Sequence, residues 1–192
     1  MITFKKKILL ASNSPRRKEL LGSLGVPFEV RTTPVDETYE GISPEHVSGY
    51  LAEKKARAFE VTEDQVLILC ADTVVVAGDK ILGKPADRQE AVEMLKMQSG
   101  VTQQVFTSVC LRDGDQFCVK TDMAKVTFRT LSEAEINYYV DTFRPFDKAG
   151  AYGIQEWIGM VGVERIEGSF YTIMGLPTHL VYQMLQPYFA NE

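Results

Sequence analysis

The run Leu10-Ala11-Ser12-Asn13-Ser14-Pro15-Arg16-Arg17-Lys18-Glu19-Leu20-Leu21 joins a short apolar stretch to an amphipathic one through two hydroxyls, a proline and three consecutive cations. Ser14 suits the N-cap of a helix, and Pro15 suits its first position, where a missing N–H costs nothing. The unpaired N–H groups and the positive end of the helix dipole then point toward the loop, alongside Arg16 and Arg17. Such a cradle holds anions, phosphate above all. The alternative is an ordinary capped helix with a solvated basic first turn. Cations are unfavourable at a helix start unless something negative offsets them, which favours the anion site.

Asp72 is the strongest single candidate for catalysis. It interrupts an apolar run, with Val66-Leu67-Ile68-Leu69-Cys70-Ala71 before it and Val74-Val75-Val76 after it. A carboxylate buried there unpaired costs several kcal/mol, so it requires a metal, a lysine or an arginine beside it. A solvent-facing Asp at a strand end is the competing reading. Other candidates are weaker alone. Asp36 and Glu37 are adjacent in a loop, Lys84 stands in Gly83-Lys84-Pro85, and Lys54 and Lys55 lie on a helix of mixed charge. Phe146-Asp147-Lys148-Ala149-Gly150-Ala151-Tyr152-Gly153-Ile154-Gln155 places an acid and a base before small residues that allow close approach to the backbone. The Gln155 amide both donates and accepts, as reading a base edge demands.

Several schemes are absent. The chain has no GxxxxGKS/T or GxGxxG loop, and only two histidines, His46 and His179, both read as structural. That disfavours a His-rich zinc site or a Ser-His-Asp triad. Phosphate chemistry with few histidines points to Mg²⁺ or Mn²⁺ held by carboxylates and substrate oxygens. The net charge of −5 argues against a nucleic-acid polymer as partner. Cys70, Cys110 and Cys118 form no CxxC pair and fall in strand-like runs, so buried, reduced thiols are expected. The basic Lys5–Lys7 segment is followed by only Ile8 to Ala11 before polar residues return, and no apolar stretch reaches membrane-spanning length. These patterns predict a cytoplasmic protein without a membrane partner.

The elements that must position these residues can be read from periodicity and punctuation. Helices are expected over Pro15–Leu24, from Ser43-Pro44 through Ala58, after Asp87 with Glu90 in a capping-box arrangement, over Glu133–Thr142 behind the box Ser132–Glu135, and over Pro177–Leu185. Strands are expected at Ile8–Leu10, at Phe28–Val30 and over Val66–Ala77 with a break at Ala71-Asp72-Thr73, and Lys80-Ile81-Leu82-Gly83-Lys84-Pro85 returns from a Gly78-Asp79 turn. Val105–Leu111 and Gln116–Lys120 flank the hairpin signal Asp113-Gly114, and Ala124–Phe128 is a separate strand. Trp157 to Val161 is core by default, with a dimer contact as the alternative. No linker or repeat divides the chain, so residues 1–192 are expected to form one α/β domain, a mixed sheet with flanking helices.

In order along the chain, Leu10 to Leu21, Val35-Asp36-Glu37, Leu51 to Ala56, Ala71-Asp72-Thr73, Gly83-Lys84-Pro85, Asp147 to Gln155 and Gly175-Leu176-Pro177 resemble the Maf family of nucleotide pyrophosphatases. The resemblance implies a fold like that of the inosine triphosphate pyrophosphatases, with two lobes around a central cleft. It also implies hydrolysis of a nucleoside triphosphate to the monophosphate and pyrophosphate with a divalent metal cation. By the same resemblance Asp72 is the general base. Ser12, Arg17, Lys55, Lys84 and Lys148 line the phosphate pocket, and Glu37 joins Asp72 at the metal. Arg16, Thr73 and Gln155 match the specificity set of the branch acting on dTTP and UTP, with modified pyrimidine triphosphates left open. Alternatives are the 7-methylguanosine triphosphate branch and a nucleotide-binding regulator of cell division. A homodimer is the quaternary state the resemblance suggests.

Overall fold

The computed structural model describes residues 3–60 and 65–190. The chain divides into two compact units, the first made of residues 1–72, 107–122 and 175–192, the second of residues 73–106 and 123–174. Seven strands form a mixed sheet: β1 (Lys7–Leu10), β2 (Glu29–Val30), β3 (Val66–Ala77), β4 (Lys80–Leu82), β5 (Thr102–Asp113), β6 (Gln116–Phe128) and β7 (Val163–Glu167). Their order is β2-β1-β3-β5-β6-β7, with β4 paired to β3. β1 runs parallel to β2 and β3, whereas β4 is antiparallel to β3 and β7 to β6. The helices are α1 (Pro15–Ser23), α2 (Pro44–Arg57), α3 (Arg88–Gln98), α4 (Glu133–Phe143), α5 (Trp157–Gly162), α6 (Phe170–Met174) and α7 (Thr178–Leu185).

In the first unit α2 covers one face of the sheet. Ala52, Ala56 and Phe59 pack with Leu9, Ala11, Ile68, Cys70 and Cys110 in one buried cluster. The two alanines let the helix lie close to the strands. Because side chains alternate along a strand, Ile68, Cys70 and Asp72 share the α2 side of β3. The far end of α2 is fixed by Arg112, whose Nη1 donates to the carbonyls of Ala56 and Phe59 at 2.8 Å each. A cation there satisfies orphan carbonyls and complements the negative end of the helix dipole. A hydroxyl chain from the buried Ser48 and Ser108 out to the exposed Thr121, at 2.7 Å per step, ties the preceding turns of α2 to β5 and β6.

In the second unit α3 and α4 pack together and α3 also meets the short 3₁₀ turn Ala149–Ala151. The Ser132–Glu135 capping box opening α4 is complete: Ser132 Oγ accepts from the Glu135 N–H and the Glu135 carboxylate accepts from the Ser132 N–H at 2.7 Å. A hydrogen bond from Arg129, then those from Ser132, hold the Glu135 carboxyl down at about 2. Ser132→Ala is expected to lower stability by about 1 kcal/mol, read from the urea midpoint with an unchanged slope.

Four expectations need correction. β3 is continuous through Ala71-Asp72-Thr73, because its ladder carries on while both faces stay mostly covered. β6 is likewise one strand of 13 residues, running through Thr121-Asp122-Met123 without a break; Thr121 and Met123 lie on its exposed side. Cys118 is exposed, since it alternates with the inward-packed Phe117 and Val119. Cys70 and Cys110 are buried as expected, and desolvation pushes both thiols up to about 12. Finally, Asp87 caps α3 through the Glu90 N–H at 2.9 Å, but the Glu90 carboxylate returns to the Ala86 N–H, one residue short of a reciprocal box. The Trp157–Val161 run is divided, with Ile158 buried and Met160 73% exposed.

Candidate active site

The first unit gathers an acid, a base and a second acid. Lys55 Nζ lies 2.6 Å from Asp72 Oδ1 and 2.9 Å from Glu37 Oε1. The placement follows from local structure. Asp72 stands on the α2 side of β3, and Lys55 sits between the turns whose Ala52 and Ala56 touch that face. Asp36 shapes the loop that delivers Glu37: its carboxylate accepts from the Thr38 N–H at 3.0 Å and from the Thr38 hydroxyl at 2.6 Å. Lys54 then tethers that loop to α2 through the Thr38 carbonyl at 3.1 Å. Asp36 and Lys54 are therefore structural, while Glu37 and Lys55 meet Asp72.

Asp72 is 6% exposed, and burial raises its carboxyl above the usual carboxylate range. Lys55 and then Arg17 oppose that rise, and Glu37 adds to it. A buried carboxylate with a proton affinity above normal is better matched to general-base work near neutral pH than an exposed one.

The cap at α1 forms as its residues dictate. Ser14 is the N-cap and Pro15 the first helical residue, and Ser12 Oγ accepts from the Ser14 N–H at 3.2 Å. Ser12 is buried at this turn, and Arg16 is half-buried in the first turn of α1. Arg17 does something the sequence did not reveal. Its Nε donates to the Gly175 carbonyl and its Nη1 to the Ala71 carbonyl, both at 2.8 Å. It thus ties α1 to the residue before Asp72 and to the Gly175-Leu176-Pro177 segment. Desolvation lowers its proton affinity, the Asp72 charge being the largest opposing influence.

The second unit holds the remaining candidates. Lys148 is buried, with Nζ 2.7 Å from Asp147 Oδ1 and 3.2 Å from Glu156 Oε1. Lys84 and Gln155 are exposed and Thr73 half-buried. The Gly83-Lys84-Pro85 segment is stitched to the Lys148 loop by the Gly150 N–H, which donates to the Gly83 carbonyl at 3.0 Å. Gly150 has φ +70°, and an added Cβ would lie 3.1 Å from Gln98 Oε1 and 3.2 Å from Val75, so a side chain there is strained and crowded. The structure brings Glu37, Lys55 and Asp72 together and joins the Lys84 and Lys148 loops. Thr73 is the covalent neighbour of Asp72 on β3. Glu156 and Tyr139 were not found from the sequence; their one signal is an acid placed between Gln155 and an apolar run.

Among the described residues no group of three or more His, Cys, Asp or Glu side chains could by itself hold a metal ion. Asp72 and Glu37 already converge on one ammonium. Two carboxylates completed by phosphate oxygens are the donor set Mg²⁺ favours, so these residues fit a divalent cation bound together with a phosphorylated substrate. No described helix is long and apolar enough to cross a membrane.

Comparison with known proteins agrees with the motif order. The chain is similar to the dTTP/UTP pyrophosphatase of Porphyromonas gingivalis, with 49% identity over 189 residues, covering 96% of this chain and 95% of the relative. It is 50% identical over 185 residues to the Bacteroides thetaiotaomicron protein of the same name, covering 95% and 96% of the two chains. For the Flavobacterium johnsoniae protein, also a dTTP/UTP pyrophosphatase, identity is 44% and coverage 94% of each chain. Among solved structures, the Staphylococcus aureus Ham1 protein aligns with TM-score 0.42 and 16% identity over 64% of this chain and 72% of that one. The family model for Maf-like proteins matches residues 7–188, nearly the whole chain, and the protein belongs to that family.

Proposed function

We propose that this protein hydrolyses dTTP and UTP to the nucleoside monophosphate and pyrophosphate. The observation that carries the reading is the buried Asp72 carboxylate held against Lys55, with Glu37 on the same ammonium. It supplies what attack of water on a phosphoanhydride needs: a base with raised proton affinity, and positive charge close by. The near-full-length similarity to relatives named dTTP/UTP pyrophosphatase supports the choice of substrate.

In this reaction Asp72 takes the proton from the attacking water. Lys55 stays within 2.6 Å of it and steadies the carboxylate before attack. Ser12, Arg17, Lys55, Lys84 and Lys148 bind phosphate oxygens, the four cations offsetting the charge that builds as the anhydride breaks. Arg16, Thr73 and Gln155 select the pyrimidine, the Gln155 amide pairing with a uracil or thymine edge. Asp72 and Glu37 would hold a divalent cation, Mg²⁺ or Mn²⁺. When bound, that ion polarises a phosphoryl oxygen and makes water more acidic. A cytoplasmic location and a homodimer belong to the same proposal.

A panel of dTTP, UTP, 5-methyl-UTP, pseudo-UTP and 7-methylguanosine triphosphate, each with Mg²⁺ or Mn²⁺, tests it. Pyrimidine triphosphates are expected to be converted well ahead of the methylated purine. Preference for 7-methylguanosine triphosphate would move the protein to the other branch. Tight nucleotide binding without product would favour a regulator.

A further inference from the structure

The second unit contains a polar relay that runs from the Gly153 backbone through Tyr139 and Glu156 to Lys148. The Gly153 N–H donates to the Tyr139 hydroxyl at 2.9 Å. That hydroxyl donates to Glu156 Oε2, and Glu156 Oε1 lies 3.2 Å from Lys148 Nζ. The Glu156 N–H returns to the Gly153 carbonyl at 3.0 Å, closing the turn that carries Gln155. Gly153 leaves room for this: a Cβ there would lie 2.7 Å from Glu156 Cδ, an overlap only a shift of the carboxylate could relieve. Tyr139 itself is fully buried on α4, and burial followed by the Glu156 hydrogen bond pushes its phenol well above normal, keeping it a proton donor.

We propose that Glu156 is a positioning residue for triphosphate binding, acting through Lys148. The inference rests on the reading that Lys148 contacts phosphate. Lys148 is buried and meets two carboxylates of different kinds. Asp147 has a side chain 56% exposed, where incoming phosphate oxygens compete for the ammonium; Glu156 has one only 20% exposed and is locked by Tyr139. Phosphate can take the place of Asp147 while Glu156 stays. An ammonium carries three N–H donors, so Glu156 occupies one and aims the others. A lysine fixed before substrate arrives loses less rotamer freedom on binding, which is the gain from preorganisation.

The test measures KM and kcat for dTTP in Glu156→Gln, Lys148→Ala and the double variant, with melting temperatures alongside. Glu156→Gln is expected to raise KM about tenfold with kcat within about twofold, because ground-state and transition-state binding fall together. In the Lys148→Ala background Glu156→Gln should add nothing, the signature of two residues acting as one unit. Tyr139→Phe keeps the carboxylate and releases its anchor; it should raise KM about threefold, and Glu156→Asp should regain part of the loss. An unchanged KM in folded Glu156→Gln, or independent multiplying effects in the double variant, overturns the proposal. A neutral Lys148→Ala removes Lys148 from the phosphates and the positioning role with it. If the wild-type protein turns over no triphosphate, the enzymatic reading fails separately. Calorimetric binding of inorganic tripolyphosphate must then show the same weakening and the same non-additivity, or the positioning role fails as well.

Discussion

Replacing Asp72 with asparagine is expected to lower kcat for dTTP about 10³-fold, within the range a positioned general base contributes, while leaving the melting temperature unchanged or higher. Asn keeps the shape and a hydrogen-bond acceptor for Lys55 but cannot take a proton from water. The stability half follows from the direction of the Asp72 shift. Burial raises its folded proton affinity above that of an ordinary aspartate. The contribution of this group to stability is therefore fully present below the ordinary aspartate range and is lost as pH rises through the higher folded value. At neutral pH the ionised carboxylate works against folding, and Asn removes that burden, a stability–activity trade-off expected of catalytic groups. Single-turnover kinetics and thermal melts on the same samples check both halves. The same shift places the acid limb of kcat/KM above the ordinary aspartate range.

The second large effect is expected at Lys55. Lys55→Met leaves Asp72 buried without its closest cation, and breaking a buried pair from one side costs about 3 kcal/mol. The loss should be largest near pH 7 and shrink as the solution is acidified to about pH 4, because a protonated Asp72 no longer needs a partner. Lys55 lowers the proton affinity of Asp72, so its removal should also move the acid limb of any residual activity to higher pH. Activity itself should fall by about 10²-fold, since Lys55 is also one of the cations proposed to neutralise the phosphate oxygens as the anhydride breaks. Urea unfolding at the two pH values and a pH–rate profile measure these effects. Lys96→Met is the control: that side chain makes an exposed ion pair with Glu133 at 3.5 Å, and little change in either readout is expected.

How much of this was legible in the sequence depended on distance along the chain. Ser14-Pro15 specified the start of α1, and Ser132–Glu135 specified that of α4, because caps are local chemistry. Asp72 could be singled out, and so could its need for a cation, because an acid in an apolar strand has few stable environments. Which cation answers it was not readable. Lys54 and Lys55 look alike on paper, and only the packing of Ala52 and Ala56 on β3 brings Lys55 to the carboxylate. The anchoring of Arg17 by Gly175, across 158 residues, has no local signature. Tyr139 carries no local signature of a role, because its hydroxyl acquires one only beside Glu156. The continuity of β3 through Asp72 and of β6 through Asp122 is not legible from polarity alone, because long strands carry polar residues wherever a face is open or a partner is supplied.

The most direct measurement of the central claim follows dTTP turnover by ³¹P NMR with Mg²⁺ present, wild type beside Asp72→Asn. Water attack at the anhydride with Asp72 as base predicts dTMP and pyrophosphate appearing in equal amounts, without dTDP or orthophosphate, and near-silence in the variant. Accumulation of dTDP with orthophosphate, or equal rates in the two proteins, would contradict it.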